Sequence, residues 1–439
     1  MTTGPDAGAF SVRAAAREAP DRPGLVFADR SYTFAELASA VLPEAAALSD
    51  AFQETGRPLV HVGDRTEASL LTILAAFEAG VPLLLIHPRW TETERSRALA
   101  RSGARDADLR GEGLLALIHT SGSTGVPKAV ALSRTAFLAS ARASEANLGR
   151  RDEDRWLLAM TPAHVGGLSI LTRCLSARTT VVAAPPGRFD ATELAAFAES
   201  HRVTLLSVVP TMLSRMLEGP MPTSLRTLLV GGAAVGPALQ ARAEAHGLCT
   251  LATYGLTELC SQVATQRPDE SGPGAPPLKG MVVKIREGEI HVGGPSLFSG
   301  VLEDGRLAPA RLRDGLYPTG DLGRFEGGRL FVDGRADDRI VTGGENVDPA
   351  GLEQTIESVP GVGAAVVFGT PDPEWGEVVS AAIVPSQDGL ETDAVEQALR
   401  GRVAPFRLPR RWHVLEDLPK TASGKINRRA VIEALRRED

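Results

Sequence analysis

Short apolar runs alternate with stretches of helical spacing through much of the chain. Residues 59–62, 81–86, 114–118, 129–132, 156–160, 180–182, 204–208 and 228–230 are apolar and bounded by polar or turn residues, so each predicts a strand. Between them residues 68–79, 134–147 and 192–201, with a turn around Met212, predict helices. This alternation predicts a mainly parallel sheet covered by helices. Nearer the start, residues 10–48 are Ala-rich and helical in spacing, interrupted by strand candidates at 24–27 and 31–34. Thr33 is placed to cap the helix that runs through Glu36 and Leu37.

The texture changes near Pro268. Gly, Pro and short strands at 282–286, 289–292 and 329–332 predict hairpins or a small barrel. Residues 333–338 are polar and predict an interdomain joint. Beyond it, helices at 349–358, 392–403 and 428–436 and strands at 364–368 and 378–384 predict a small α+β domain. The expected fold class is therefore α/β. A large N-terminal domain of layered sheets and helices, residues 1–335 with a β-rich segment at about 268–335, precedes a small mobile α+β domain, residues 336–439.

Within this pattern one stretch concentrates chemistry. Thr120-Ser121-Gly122-Ser123-Thr124-Gly125-Val126-Pro127-Lys128 follows the strand at 114–118 and combines hydroxyls, glycines and a lysine. Glycines let backbone N–H groups approach an anion, hydroxyls donate, and lysine brings positive charge, so the stretch suits a phosphate group. Pro127 before Lys128 and Ala129 after it exclude the nucleotide loop G-x-x-x-x-G-K-[ST]. Taken alone, the stretch also fits a surface turn. Gly231 and Gly232 end another strand, where open α/β sheets hold ligands.

Composition changes the picture only by exclusion. With 439 residues, 43% hydrophobic, 23% charged and a formal net charge of -7, the chain reads as a soluble multidomain protein with no support for nucleic-acid binding. No apolar run is long enough to span a membrane, and residues 1–10 lack the pattern of a signal peptide. Cys174, Cys249 and Cys260 are widely spaced and suit buried thiols in a reducing cytoplasm.

Five further segments follow the phosphate-type stretch in order: Tyr254-Gly255-Leu256-Thr257-Glu258, Tyr317-Pro318-Thr319-Gly320-Asp321, Gly334-Arg335-Ala336-Asp337-Asp338, Thr342-Gly343-Gly344-Glu345-Asn346 and Pro419-Lys420-Thr421-Ala422-Ser423-Gly424-Lys425. In this order the sequence resembles the adenylate-forming superfamily of acyl-CoA synthetases, adenylation domains and luciferases. The resemblance implies that a carboxylate attacks the α-phosphorus of ATP and that a thiol then displaces AMP. It implies ATP, Mg²⁺ and CoA as cofactors or co-substrates. Thr120, Ser121, Ser123, Thr124 and Lys128 would hold the β- and γ-phosphates; Thr257 would touch the α-phosphate, and Glu258 would help hold the metal. Tyr254, with Gly232 and Ala233, would flank the adenine, and Asp321 with Arg335 would meet the ribose. Lys425 would be the catalytic lysine of the small domain, Asp337 its hinge, and Gly343 and Gly344 would face the CoA channel.

Residues 160–167 and 254–263 are most similar to the o-succinylbenzoate–CoA ligase branch of menaquinone biosynthesis. That likeness gives His164 a catalytic role as well as a place, with Gly167, Ser261 and Gln262, at the acyl pocket. Departures from the common pattern are Ala129, His119, Ala163 and the helix start Gly351-Leu352-Glu353. A dianionic acid would need a second cationic contact, for which Arg173, Arg178 and Arg202 are near in sequence. Partners are thus expected to be a small carboxylic acid, ATP and CoA, with no nucleic acid and no membrane span; a homodimer stays open. Alternative readings are a benzoate-like aryl-acid ligase, a standalone adenylation enzyme loading a carrier protein, a luciferase-like oxygenase, and a non-catalytic nucleotide binder. Retention of Lys425, Glu258 and Asp321 speaks against the last.

Overall fold

Strands buried on both faces explain the continuous apolar runs of the sequence. In the strand Leu83–Ile86, Leu83 and Leu85 enter one core cluster and Leu84 another, because successive side chains point to opposite faces. Leu115 and Ile118 divide from Leu114 and Leu117 of the strand Leu114–Thr120 in the same way. The computed structural model describes residues 8–120, 127–187, 189–233, 235–270, 272–342, 345–386, 389–421 and 426–435. The chain divides into two compact units. One comprises Met1–Gly232, Ala243–Val283 and Val292–Tyr317; the other comprises Ala233–Arg242, Lys284–His291 and Pro318–Asp439.

The first unit is built on two mixed sheets. Its eight-stranded sheet runs in the order Ser261–Thr265, Thr250–Leu256, Thr227–Gly231, Leu205–Val208, Arg155–Leu158, Thr180–Ala183, Pro23–Val26 and Ser31–Thr33. The inner strands are parallel and the strand at each end is antiparallel to its neighbour. In the six-stranded sheet Leu59–Val62, Leu83–Ile86 and Leu114–Thr120 are parallel. Lys128–Ser133, Gly300–Glu303 and Arg306–Pro309 then continue antiparallel. The eight-stranded sheet is thus the expected mainly parallel sheet, with antiparallel strands only at its edges, whereas the six-stranded sheet is mixed, because Lys128–Ser133 pairs antiparallel with Leu114–Thr120.

Helices Glu67–Ala79, Arg134–Leu148 and Val165–Ala177 join both sheets in one core, with Phe77, Phe137 and Leu168 fully buried. The helix at Thr33 begins as expected. The Thr33 hydroxyl accepts from the Glu36 N–H and the Glu36 carboxylate accepts from the Thr33 N–H, a reciprocal capping box. It runs through Thr55, beyond the expected end, to a left-handed Gly56. Among the described residues no helix is long and apolar enough to cross a membrane.

The second unit takes most of an open four-stranded sheet, in the order Val282–Arg286, Glu289–Gly293, Tyr317–Glu326, Arg329–Arg335. Of the two expected forms, hairpins or a small barrel, the hairpins are the ones present, and the Gly300–Glu303 hairpin belongs to the six-stranded sheet. The polar stretch 333–338 is also more ordered than expected. Asp333, Gly334 and Arg335 finish a strand because Arg335 pairs in register with Asp321, and Ala336–Asp338 form a short 3-10 turn. A further sheet carries Gly376–Pro385 between Val362–Asp372 and the parallel strand Arg411–Val414. Val367 and Ala365 of its long hairpin face helices Pro349–Glu357 and Thr392–Leu399, whereas Val366 and Phe368 face helix Arg428–Leu435. The helix expected to reach residue 403 ends at Leu399, and the chain turns at Gly401, whose φ is 79°.

Candidate active site

The hairpin at the phosphate-type stretch places Thr120 directly opposite Lys128 in antiparallel register, both half-buried. Ser121, Ser123 and Thr124 lie outside the described residues, as do Gly343, Gly344 and Lys425. Lys420 and Ile426 pair across the last of these segments, and the Asn427 N–H donates to the Pro419 carbonyl at 2.7 Å.

Tyr254 lies near the end of the strand Thr250–Leu256, where a bulge separates it from Gly255. A side chain at Gly255 would put its Cβ 1.7 Å from the Ser261 carbonyl oxygen, so only glycine lets this hairpin close. Thr257–Leu259 then form a 3-10 turn, followed by Cys260 and Ser261 at φ 52° and 104°. Non-glycine residues are rare in that region, and such strain concentrates at functional sites. Glu258, half-buried, is held through its backbone carbonyl, which accepts from the Phe298 N–H at 2.8 Å. The Tyr317 hydroxyl lies 3.5 Å from its Oε1.

Gly231 abuts the same strand: a Cβ there would meet Thr253 Cγ2 at 2.6 Å, and Gly232 follows at φ 84°. This is the expected close-approach turn at a strand end. Ala233 is exposed. Gln262 is buried. Its amide donates to the Thr265 hydroxyl at 3.0 Å, while its Oε1 has no partner among the described residues. Ser261, half-buried, is its neighbour on the strand.

His164 caps a helix that the sequence pattern did not reveal, Val165–Ala177. Its glycines read as a turn, but Gly167 is needed for contact: a Cβ there would lie 2.2 Å from the Thr161 carbonyl. Gly63 packs likewise on the Ala163 main chain at 2.9 Å, the Thr161 hydroxyl donates to the Gly63 carbonyl, and the His164 N–H donates to the Thr161 carbonyl at 3.1 Å. Two residues overlooked in the sequence gather here. His87, just past Leu83–Ile86, lies with its ring centroid 4.9 Å from that of His164. Trp90 meets the His119 ring edge-on at 5.1 Å. Their signal was position, the C-terminal end of a buried parallel strand. Burial, with Arg89 adding to it, pulls the His87 pKa down to about 4; burial lowers that of His119 as well.

The three nearby arginines separate clearly. Arg178 is bound to Glu18 at 2.8 Å and to the Ala9 and Gly8 carbonyls, and Arg202 is exposed. Arg173 is 6% exposed, stacked 5.3 Å over Trp156, with Nε and Nη2 unpartnered among the described residues. Burial lowers its pKa to about 10, so it stays charged at neutral pH. The cysteines were expected to be buried thiols. Cys174 and Cys260 are, and burial pushes Cys174 up to about 12, whereas Cys249 is half-exposed.

In the second unit Asp321 accepts from the Arg335 guanidinium at 2.9 Å across the paired strands. Burial opposes the guanidinium charge, but Asp321 outweighs it and raises the Arg335 pKa. The Thr319 hydroxyl donates to the Ile290 carbonyl at 2.7 Å and the Gly320 N–H to Glu289 at 2.9 Å, which fixes the approach to Asp321. Asp337 is exposed, 3.8 Å from Arg335. Its neighbour Asp338 meets Arg428 at 3.4 Å, and Arg428 also grips the buried Glu353 at 2.6 Å. The departure Gly351 is explained here. Asp348 caps the helix by accepting from the Ala350 and Gly351 N–H groups, and a Cβ at Gly351 would come within 2.9 Å of its carboxylate.

Residues 12–107 and 104–302 match the family of AMP-binding enzymes, and residues 351–425 match the AMP-binding enzyme C-terminal domain. The chain is 31% identical to a 2-succinylbenzoate–CoA ligase of Bacillus pumilus over 93% of its own length and 94% of the relative's. Among solved structures it is similar to the o-succinylbenzoate CoA synthetase of Bacillus subtilis in complex with the acyl-adenylate intermediate OSB-AMP. That match has a TM-score of 0.85 and 29% identity and covers 95% of this chain and 96% of the other. The same synthetase in complex with ATP and magnesium ion matches with a TM-score of 0.84 and 28% identity, over 96% and 98% of the two chains. With the order of its motifs, its sheets and these likenesses in agreement, the chain belongs to the AMP-binding enzyme family of adenylate-forming ligases.

Proposed function

We propose that this enzyme is an ATP-dependent acid–CoA ligase that converts o-succinylbenzoate to o-succinylbenzoyl-CoA in cytoplasmic menaquinone biosynthesis. A carboxylate oxygen attacks the α-phosphorus of ATP, pyrophosphate leaves, and an acyl-adenylate forms. The sulfur of CoA then attacks the acyl carbon and AMP leaves. The observation that carries this reading is the likeness, over nearly the whole chain, to 2-succinylbenzoate–CoA ligases.

The residue roles follow the motifs. Thr120, Ser121, Ser123, Thr124 and Lys128 bind the β- and γ-phosphates, Thr257 the α-phosphate, and Tyr254, Gly232 and Ala233 the adenine. Asp321 accepts from ribose hydroxyls, which its fixed backbone and its Arg335 partner orient. Lys425 offsets the negative charge that builds as two anions meet. Glu258 fits Mg²⁺, a hard ion that takes one or two carboxylates plus substrate phosphate oxygens, so it needs no cluster of three acidic, His or Cys ligands, and none occurs among the described residues. When bound, the ion neutralises phosphate charge. His164, Gly167, Ser261 and Gln262 border the acid, and Gly343 and Gly344 the CoA channel. The domain division falls between residues 335 and 336, with Asp337 as the hinge about which residues 336–439 turn between half-reactions.

Arg173 supports the dianionic substrate. It is a buried cation without an acidic partner among the described residues, on the helix that His164 opens, and it suits a second carboxylate. The test is CoA-dependent AMP formation, with thioester detection by mass, across o-succinylbenzoate, benzoate, anthranilate, salicylate and a medium-chain fatty acid. Preference for o-succinylbenzoate supports the proposal. Another preferred aryl acid keeps the chemistry and discards the pathway, and pyrophosphate release without thioester points to a carrier-protein acceptor. Arg173→Gln should raise the KM for o-succinylbenzoate about tenfold or more while barely changing that for benzoate.

A further inference from the structure

His87 is 4% exposed, and its two ring nitrogens have different surroundings. The Arg89 backbone N–H donates to Nδ1 at 3.1 Å, so Nδ1 carries a lone pair. In a neutral imidazole the proton then sits on Nε2. The low pKa keeps the ring neutral at physiological pH. Nε2 is buried and has no hydrogen-bond partner among the described residues. A buried donor without an acceptor is unfavourable, and such groups usually mark a ligand or water that completes them. The ring meets that of His164 at a tilt of 48°, and His164 leads into the tightly packed Gly167.

His119 lies on the next strand. Its Nδ1 lies 3.3 Å from the Leu85 carbonyl, which can only accept, so Nδ1 donates, and the Ala98 carbonyl also acts on the ring. Trp90 packs on that ring. The end of the Leu83–Ile86 strand thus offers a fixed neutral N–H on His87.

We propose that His87 is a specificity-determining residue of the acid pocket, its Nε2–H donating a hydrogen bond to a carbonyl or carboxylate oxygen of the bound acid. This rests on the acid-ligase reading above. A neutral donor fits an oxygen acceptor without adding charge beside the adenylating carboxylate, which must stay nucleophilic.

The variants separate the donor from the rest of the ring. His87→Asn keeps an acceptor for the Arg89 N–H but loses the distal donor; His87→Gln restores an N–H near the Nε2 position. The expected result is a rise of about tenfold in acid KM for His87→Asn. The KM for ATP should stay within twofold, and His87→Gln should recover most of the loss. An unchanged acid KM in His87→Asn, or equal loss toward acid and ATP in both variants, overturns the proposal. If another acid of the panel is preferred to o-succinylbenzoate, the same comparison on that acid decides His87 while the pathway assignment fails alone. Nitrogen-15 NMR of histidine-labelled enzyme supplies a readout free of turnover. The signal lost in His87→Asn should be Nε2-protonated and should shift on adding o-succinylbenzoate or the preferred acid. A Nδ1-protonated ring, or no shift at saturation, overturns the assignment.

Discussion

Around Gly63, Gly167 and Gly255 of the first unit, the chain is positioned by main-chain contact so close that no side chain fits. Around Arg335 and Arg428 of the second, it is positioned by guanidinium–carboxylate pairs. The first arrangement depends on shape and on neutral donors such as His87 and Gln262, and neither pH nor salt near neutrality should disturb it. The second depends on charge and is open to both. The close-packed glycines lie within the first unit and the charged pairs within the second, so each unit is held together by a different kind of contact.

The sharpest test of that contrast is Lys425→Ala. Adenylation should fall by about a thousandfold, while transfer from a supplied acyl-adenylate to CoA stays largely intact, as separate assays of the two half-reactions would show. Equal loss in both would remove the role given to this lysine. Next, Arg428→Ala leaves the largely buried Glu353 without its guanidinium, though still accepting from the Val367 N–H, so denaturant unfolding should show a loss of about 3 kcal/mol. Gly255→Ala should cost about 3 kcal/mol by overpacking against Ser261, and salt should not change that cost. Gly80→Ala is the contrast: its φ is positive, at 72°, whereas that of Gly255 is not, and a Cβ there meets nothing within 4 Å, so the loss should be only about 1 kcal/mol and come from the backbone alone.

A slope with pH, spread over more than two pH units, should be the most gradual effect. Burial raises the Glu357 pKa to about 7 from 4.5, with Glu353 adding to it and the Ala365 N–H opposing it. Below about 4.5 both the folded and unfolded chains are protonated there. Between about 4.5 and 7 the unfolded chain has already released its proton, so stability falls as pH rises, by up to about 3 kcal/mol. Glu357→Gln should flatten that slope, and an identical slope in the variant would assign it to other groups.

Much of this was legible in the sequence wherever a local rule decides structure. Thr33 with Glu36 announced a helix start, and the apolar runs announced strands. The phosphate-type stretch stood out because hydroxyls, glycines and a lysine are concentrated in nine residues. Strand–helix alternation announced the parallel pairing, but the antiparallel edge strands and the antiparallel half of the six-stranded sheet were not legible, because an apolar run looks the same in either kind of pair. Helix Val165–Ala177 was hidden by Gly166-Gly167, whose reason for being there is Thr161 of the preceding segment. His87 was passed over because a single histidine means little until the direction of its Nδ1 contact is known. Arg173 could be named but not separated from Arg178 until Glu18 was seen to occupy the latter.

The register of Thr120 against Lys128 constrains how this segment can vary over evolutionary time. A single-residue insertion in either strand would turn the lysine to the opposite face of the sheet. Insertions and deletions there should therefore be purged, and change should accumulate by substitution within a fixed count of residues. For the engineer the same feature makes residues 121–127 an exchangeable cassette. A segment of equal length from a related enzyme can be grafted between the two anchors while the register of the core strands is kept.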